Sequence, residues 1–159
     1  MTGLTEIRWH ARAGQGAKTA AQLLALSLLR AGKSVQAFPE YGPERRGAPL
    51  RAFTRVSDRP IRRHDTITDP DLVVVLEPSL VHEIDVADGL DPDGLVLDAA
   101  ELGAPRDSTN LFMVGAVAGA LGEPPLEFVQ DRAVETLGRK ADHDAIRAAV
   151  AAGYEAAKR

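Results

Sequence analysis

The sequence predicts an α/β fold in which helices flank a mostly parallel sheet. Two observations support this class. Stretches of alternating or continuous apolar residues alternate along the chain with stretches whose apolar residues repeat every three or four positions. The run Leu72–Leu76 is apolar throughout, which is typical of a strand covered on both faces of a parallel sheet. Because 159 residues suffice for a sizeable core, we expect residues 1–159 to form a single domain.

The chain begins with a strand, a tight turn and a helix. Alternation over 7–12 indicates the strand, Gly14-Gln15-Gly16 interrupts it, and Leu and Ala repeat at helical spacing up to Gly32. Since this helix is apolar on nearly all sides, we expect it to be buried. The free N–H groups at its start attract anions, so the turn is either a phosphate site or simply structural. A dinucleotide-binding fingerprint would require Gly or Ala at position 19, where this chain has Thr19. A Walker A loop would require Gly at position 12, where this chain has Arg12.

The remaining elements follow the same two periodicities. Further strands are predicted at 34–38, 50–56, 72–76 and 95–97. Helices are predicted over 110–121, from 126 to 137 and from 141 onward, with a short helix beginning at Ser79.

A charged loop, Pro39–Pro49, separates the second and third strands. Its three prolines and two glycines break both periodicities, which excludes a regular element. A loop this dense in charged and aromatic groups is more often functional than a plain linker, although a salt-bridged surface loop is the alternative. Its chemistry-bearing residues are Glu40, Tyr41, Glu44, Arg45 and Arg46.

Charge and composition narrow the classes of partner. The net charge of −4 conceals an asymmetry: the first 64 residues hold twelve Lys or Arg and four Asp or Glu, whereas the other 95 hold seven and nineteen. A basic half indicates a phosphate-bearing ligand or an acidic partner surface, and the scarcity of aromatic residues argues against nucleic acid. We see no signal peptide and no apolar run of about 18 residues, so we expect a cytoplasmic protein without membrane contact.

Residues for a complete active site are missing from the sequence. The chain has no cysteine, so it cannot hold an iron–sulfur cluster through thiolates. No two of the four histidines stand at metal-ligand spacing, and no G-x-S-x-G elbow is present, so we expect no metal site and no catalytic residue within this chain alone. The glycine turn is suited to binding phosphate and the loop is rich in charge, yet the chain has no set of catalytic groups. This combination indicates that the chain is part of a larger enzyme.

Two long segments, 8–24 and 35–49, resemble the gamma subunit of the 2-oxoacid:ferredoxin oxidoreductases, of the pyruvate and ketoisovalerate type. The second segment, with its Phe-Pro-Glu-Tyr-Gly-Pro-Glu-Arg-Arg-Gly run, is the most specific motif in the chain. Pro70-Asp71 and Gly153-Tyr154-Glu155 also match. The chain departs from the family pattern at Ala13, at Ala17 and at Asp142-His143, which leaves the substrate open.

The resemblance implies a Rossmann-like subunit of an enzyme that oxidatively decarboxylates a 2-oxoacid with coenzyme A. The products are acyl-CoA, CO2 and a reduced acceptor, either ferredoxin or NAD. Thiamine diphosphate with Mg and [4Fe-4S] clusters would lie on alpha, beta and delta-type partner subunits. The 2-oxoacid would be pyruvate-like, branched-chain or aryl. A stand-alone nucleotide- or phosphate-binding module is the alternative.

Two sets of site residues follow from the turn, the loop and the resemblance. We predict that the cofactor-binding residues, for coenzyme A, are Arg12, Gly14, Gln15, Gly16 and Thr19. We predict a subunit interface beside the active-site approach at Glu40, Tyr41, Gly42, Glu44, Arg45, Arg46 and Gly47.

Overall fold

Five strands form one sheet in the computed structural model, which describes residues 3–40 and 47–159. The strands are β1 (Leu4–Arg12), β2 (Ser34–Pro39), β3 (Pro49–Ser57), β4 (Leu72–Val75) and β5 (Leu95–Asp98). They lie in the order β2-β3-β1-β4-β5, so β1 is at the centre of the sheet. Each predicted strand is confirmed, with ends that differ by a few residues.

The sheet is mixed in direction. Strands β1, β4 and β5 pair in parallel, whereas β3 is antiparallel to both of its neighbours, β1 and β2. Four strands therefore point the same way and β3 alone points the other way, so only half of the neighbouring pairs are parallel. The reason is the short connection between β2 and β3, because a parallel crossover needs about a dozen residues or more. The expected α/β class is confirmed.

In the described part of the chain, four helices accompany the sheet: α1 (Ala17–Arg30), α2 (Thr109–Leu121), α3 (Leu126–Leu137) and α4 (His143–Ala157). The short helix expected at Ser79 is a 3-10 turn over Pro78–His82. Among the described residues, no helix combines the length and the apolar character that crossing a bilayer requires.

The main core lies between the helices and one face of the sheet, which we call the helical face. Ile7, Trp9 and Val74 point from β1 and β4 into this layer. Helix α2 is buried along 111–119, on all its sides, because α4 packs closely on its outer surface. A Cβ added at Gly115 would lie 2.0 Å from the Val150 carbonyl oxygen, so this close approach requires glycine.

Helix α1 is less buried than its composition predicts. Its inner side is fully covered, but Leu26 and Leu29 are 40% and 53% exposed on the outer side. The expectation that α1 is buried is therefore correct for its inner side and wrong for its outer side. The reason lies in the layer order, since α1 packs on β2 and β3 on one side and on α2 and α3 at its flank, and no described element covers its outer side.

The opposite face of the sheet, which we call the second face, is covered by loops rather than by helices. At the β4 end, Val73 and Val75 pack against Leu80 and Val86 from the segment that follows β4. At the centre and the β2 end, the same face carries charged and aromatic side chains.

Candidate functional site

The glycine turn lies where two neighbouring parallel strands end. From β1 the chain passes through α1 toward β2 on one side, whereas from β4 it continues to β5 on the other side. In α/β sheets such a change of direction opens a crevice at the carboxyl ends of the strands, and ligands bind there. Gly14 and Gly16 both have positive φ angles, of 92° and 80°, which favour glycine at these positions.

Gly16 is also the residue that precedes the first turn of α1. A Cβ added there would lie 2.8 Å from the side-chain nitrogen of Asn110, at the start of α2. By contrast, a Cβ at Gly14 would meet no atom of the described residues within 4 Å. The turn therefore brings the amino ends of two helices close together, and both ends carry partial positive charge.

Gln15 ties the turn to the segment after β4. Its side-chain oxygen accepts a hydrogen bond from the Arg12 backbone N–H at 2.6 Å, and its amide donates to the Glu77 carboxylate at 2.7 Å. The other Glu77 oxygen accepts from the hydroxyl and the backbone N–H of Ser79, at 2.8 and 3.2 Å. These bonds, from Ser79 first and Gln15 second, lower the pKa of Glu77 and keep it ionised.

Arg12 spans the crevice instead of pointing freely into it. Its guanidinium pairs with Glu83, donates to the Ser79 hydroxyl at 2.9 Å and donates to the Gly47 carbonyl at 3.2 Å. The hydrogen bond to Glu83 raises the pKa of Arg12, and the same bond lowers the pKa of Glu83. Arg12 therefore joins the glycine turn to the end of the charged loop, two segments that the sequence singled out separately.

Two adjoining cavities, of about 620 and 370 Å³, occupy the crevice. Gln15 and Arg106 line both of them, and Thr109 contributes from the first turn of α2. Arg106 is exposed and forms no ion pair with any described residue. The wall thus combines two helix amino ends and one free guanidinium, groups suited to an anionic ligand, with the acidic residues Glu77 and Asp107.

Sequence reasoning found only part of this cavity wall. Of the predicted coenzyme A residues, Gly14, Gln15 and Gly16 line it, whereas Thr19 lies in the first turn of α1 and lines neither cavity. The contributions of Ser79, Arg106, Thr109 and Asn110 were missed. The sequence feature that could have indicated this part of the wall is Arg106, a basic residue just before a helix start. It lies in a stretch that was predicted only to be irregular.

The charged loop is described at its two ends only. The predicted residues Tyr41, Gly42, Glu44, Arg45 and Arg46 lie outside the described residues. At one end, the Glu40 carboxylate accepts hydrogen bonds from both Nε and Nη2 of Arg51, and these bonds lower the pKa of Glu40. At the other end, Gly47 contacts Arg12 through its carbonyl. The loop therefore rejoins the fold next to the glycine turn, at Gly47.

A second polar cluster, which the sequence did not predict, lies on the second face. Arg8 and His10 are each only 2% exposed, although alternation alone left their burial open. Arg8 donates through Nε to His10 Nε2 at 3.0 Å and through Nη2 to the Val86 and Asp88 carbonyls. Because a guanidinium cannot accept, a neutral His10 ring carries its proton on Nδ1.

The environment of His10 favours the neutral ring. Burial, followed by the charges of Arg8 and Arg51, lowers the pKa of His10 to about 4. The Val86 carbonyl opposes part of this shift, yet Nδ1 makes no hydrogen bond among the described residues. His10 is therefore uncharged at neutral pH and, among the described residues, lacks an acceptor for its N–H.

Comparison with known proteins places the chain in a family. A family model described as pyruvate ferredoxin/flavodoxin oxidoreductase matches residues 6–108. The pyruvate synthase subunit PorC of Thermotoga maritima is 40% identical over 96% of this chain and 94% of that protein. The pyruvate/ketoisovalerate oxidoreductases common subunit gamma of Thermococcus kodakarensis is 43% identical over 84% of this chain and 86% of that protein.

Solved structures share the fold. The crystal structure of the pyruvate oxidoreductase subunit PORC of Thermotoga maritima matches with a TM-score of 0.80 and 35% identity, over 97% of each chain. A 2-oxoglutarate:ferredoxin oxidoreductase from Magnetococcus marinus, solved with coenzyme A bound, matches with a TM-score of 0.70. It is 15% identical over 98% of this chain and 30% of that chain, so it supports the fold alone. The chain belongs to the pyruvate ferredoxin/flavodoxin oxidoreductase family, as a gamma-type subunit, and the resemblance seen in the sequence is confirmed.

Proposed function

We propose that this gamma-type subunit forms part of the coenzyme A and active-site approach of a complex that oxidatively decarboxylates a 2-oxoacid. The complex would convert the 2-oxoacid and coenzyme A to acyl-CoA and CO2, with two electrons passing to ferredoxin or another acceptor. Residues 1–159 would act as one gamma-type domain beside alpha, beta and delta-type subunits, in the cytoplasm. The observation that carries this proposal is the crevice where Arg106 and the starts of α1 and α2 meet.

The chemistry of the crevice fits coenzyme A better than it fits the redox cofactors. Coenzyme A carries several phosphate oxygens, which match N–H groups at helix starts and a free guanidinium. The chain has no cysteine, so [4Fe-4S] clusters held by thiolates belong on partner subunits, and thiamine diphosphate with Mg is assigned to them as well. When bound on the partners, these groups would supply the decarboxylation and electron-transfer chemistry.

The residues of this chain would then bind and orient the anionic part of coenzyme A. Arg106 would pair with a phosphate, while Gly14 and Gly16 would let it approach the backbone at the start of α1. Gln15 and Arg12 would hold the turn in shape through Glu77 and Glu83, because their polar groups are already engaged. Thr19 would support the first helical turn from outside the cavities.

The charged loop is proposed to contact a partner subunit. Glu40 and Gly47 anchor its ends to Arg51 and Arg12, so the Gly47 end of the loop lies beside the crevice. Arg45 and Arg46 suit bidentate pairing with carboxylates or phosphates of the partner. Replacing each by Ala, Arg45→Ala and Arg46→Ala, tests this, and assembly is read by native mass spectrometry.

The test of the proposed function is reconstitution with the other subunits from the same source. The wild-type chain should assemble into a complex whose oxidation of a 2-oxoacid requires coenzyme A, and the isolated chain should show no such activity. Arg106→Gln should raise the KM for coenzyme A about tenfold at nearly constant kcat, because it removes a charged hydrogen-bond donor. Arg139→Gln is the matched control, since Arg139 is exposed and unpaired within the described part of the chain.

Several outcomes would contradict the proposal. Full activity of the isolated chain would overturn the subunit role. A well-behaved monomer that binds nucleotides and never assembles would favour the stand-alone module. An unchanged KM for coenzyme A in Arg106→Gln, with normal assembly, would show that coenzyme A does not bind in this crevice.

A further inference from the structure

We propose that Asn110 is a specificity-determining residue of the crevice, whose side-chain amide donates a hydrogen bond to a phosphate oxygen of coenzyme A. This inference rests on the proposed function, in which the crevice binds the anionic part of coenzyme A. Asn110 lies in the first turn of α2 and lines the smaller of the two cavities, of about 370 Å³.

The hydrogen bonds of Asn110 fix the orientation of its amide. The side-chain oxygen accepts from the Leu111 backbone N–H at 2.9 Å, so this end of the amide is engaged at the start of α2. The nitrogen, Nδ2, lies against the glycine turn, 2.8 Å from the point where a Cβ at Gly16 would stand. The donor end of the amide therefore faces the start of α1, and the absence of a side chain at Gly16 leaves room for it.

The donors around the smaller cavity are unused. Asn110 Nδ2 donates to no residue in the described part of the chain. The backbone N–H groups at the start of α1 receive no hydrogen bond acceptor from a capping side chain. By contrast, the amide of Gln15, which also lines the cavity, is engaged with Glu77. Unused donors in a cavity wall are complementary to a ligand that carries several acceptor oxygens.

The formal charges around the smaller cavity cancel. Arg106 and the exposed Asp107 are its ionisable residues within the described chain. Glu77 adds a negative charge in the larger cavity, where Gln15 donates to it. Since the charges alone do not favour an anion, the preference for phosphate depends on neutral donors, and Asn110 is the one among them that a substitution can remove.

Two segments that are far apart in the chain meet at this cavity. Gly14 and Gly16 belong to the turn before α1, whereas Arg106 and Asn110 belong to the segment that leads into α2. A phosphate has oxygens in several directions, so it can accept hydrogen bonds from both segments at the same time. Asn110 would therefore favour a phosphate over those parts of coenzyme A that carry donor groups.

The direct experiment is Asn110→Asp in the reconstituted complex. This substitution keeps the size of the side chain and the oxygen that accepts from Leu111, but it replaces the donating NH2 group by a charged oxygen. The KM for coenzyme A should rise at least about thirtyfold at nearly constant kcat, because a donor to a charged group is lost and repulsion is added. The melting temperature should stay equal or rise, since a carboxylate near two helix amino ends is favoured. A purely structural role of Asn110 would not weaken binding while preserving stability.

A control and a second variant separate the donor from the added charge. Ser108→Asp places the same charge at the start of α2, at a residue that lines neither cavity, and should change the KM for coenzyme A less than about threefold. Asn110→Ser removes the amide without adding charge and should raise the KM for coenzyme A about tenfold.

Several results would overturn the role of Asn110. These are an unchanged KM for coenzyme A in both Asn110 variants, a rise in Asn110→Asp without one in Asn110→Ser, and equal rises in Asn110→Asp and Ser108→Asp. Failure of both Asn110 variants to assemble would make the residue structural and would also overturn it. In all these cases the proposed function still holds if Arg106→Gln raises the KM for coenzyme A. If the wild-type chain does not assemble, or if Arg106→Gln has no effect, both proposals fail.

Discussion

On the central strand β1, both faces of the sheet are buried, but they are held together by different interactions. On the helical face, Trp9 is fully buried among apolar side chains, and its indole N–H donates to the Thr54 hydroxyl at 3.1 Å. On the second face of the same strand, Arg8 is 2% exposed and is satisfied by carbonyl groups and by His10. The helical face gains free energy from apolar burial, whereas the second face depends on each charge keeping its partner. Stability on the second face should therefore respond to pH and to loss of a single partner.

The largest expected effect is on the buried pair between Arg55 and Glu6. Arg55 is fully buried and donates to the Glu6 carboxylate at 2.7 Å. Arg55→Met should lower the free energy of unfolding by about 3–5 kcal/mol, because it leaves the Glu6 carboxylate buried without its main partner. Urea unfolding followed by Trp9 fluorescence measures the change.

A double variant separates the pair from the packing. Arg55→Met combined with Glu6→Leu removes both charges and should recover most of the stability lost in Arg55→Met. If Arg55→Met alone loses less than about 1 kcal/mol, the second face tolerates an unpaired charge and the contrast between the faces fails.

The next effect is the pH dependence carried by His10. Its folded pKa is about 4 against an ordinary value of 6.5, so the unfolded state binds more protons between these two values. Stability should fall as the pH drops from about 6.5 to about 4, by about 3 kcal/mol in total, with no further loss from this group at lower pH. The contribution of His10 is measured by comparing the unfolding free energies of the wild type and of His10→Gln over this pH range. Because the other titrating groups are common to both proteins, the difference between the two curves reports on His10. Parallel pH curves for the two proteins would contradict the prediction.

A smaller effect is expected at the glycine turn. Gly14→Ala and Gly16→Ala each place a side chain at a positive φ, which costs about 1–2 kcal/mol. Gly16→Ala should cost more than Gly14→Ala, because its Cβ approaches Asn110 at 2.8 Å whereas that at Gly14 meets no described atom within 4 Å. Thermal unfolding of both variants provides the comparison. Equal costs would show that Asn110 moves aside freely.

The smallest change in stability is expected for Arg51→Met. The side chains of Arg51 and Glu40 are 36% and 37% exposed, so losing the pair should cost less than about 1 kcal/mol after solvent screening. The same substitution removes a positive charge near His10 and should raise the pKa of His10, without restoring its ordinary value, because burial and Arg8 remain. An NMR titration of the His10 ring measures the pKa. No change in that pKa would show that the two groups do not interact.

Local periodicity was sufficient for the order and approximate limits of the strands and helices. The alternation around Trp9 and the continuous apolar run at Leu72–Leu76 identified β1 and β4. Periodicity failed where burial depends on neighbours. Leu26 repeats at helical spacing yet is exposed, since no described element covers that side of α1. Likewise α2 is buried on all sides because Gly115 admits α4, which is a property of the pair of helices.

The sequence by itself determined the α/β class, the glycine turn, the charged loop and the family, because each of these is carried by residues close together in the chain. Only the tertiary structure decided that Arg12 joins the turn to the loop, that Arg106 faces the start of α1, and that His10 is buried beside Arg8 and Arg51. These contacts depend on strand order and on the hairpin that reverses β3, which bring together residues far apart in sequence. Local patterns carry information about which face a residue occupies, whereas its partners across the fold are set by how the layers pack.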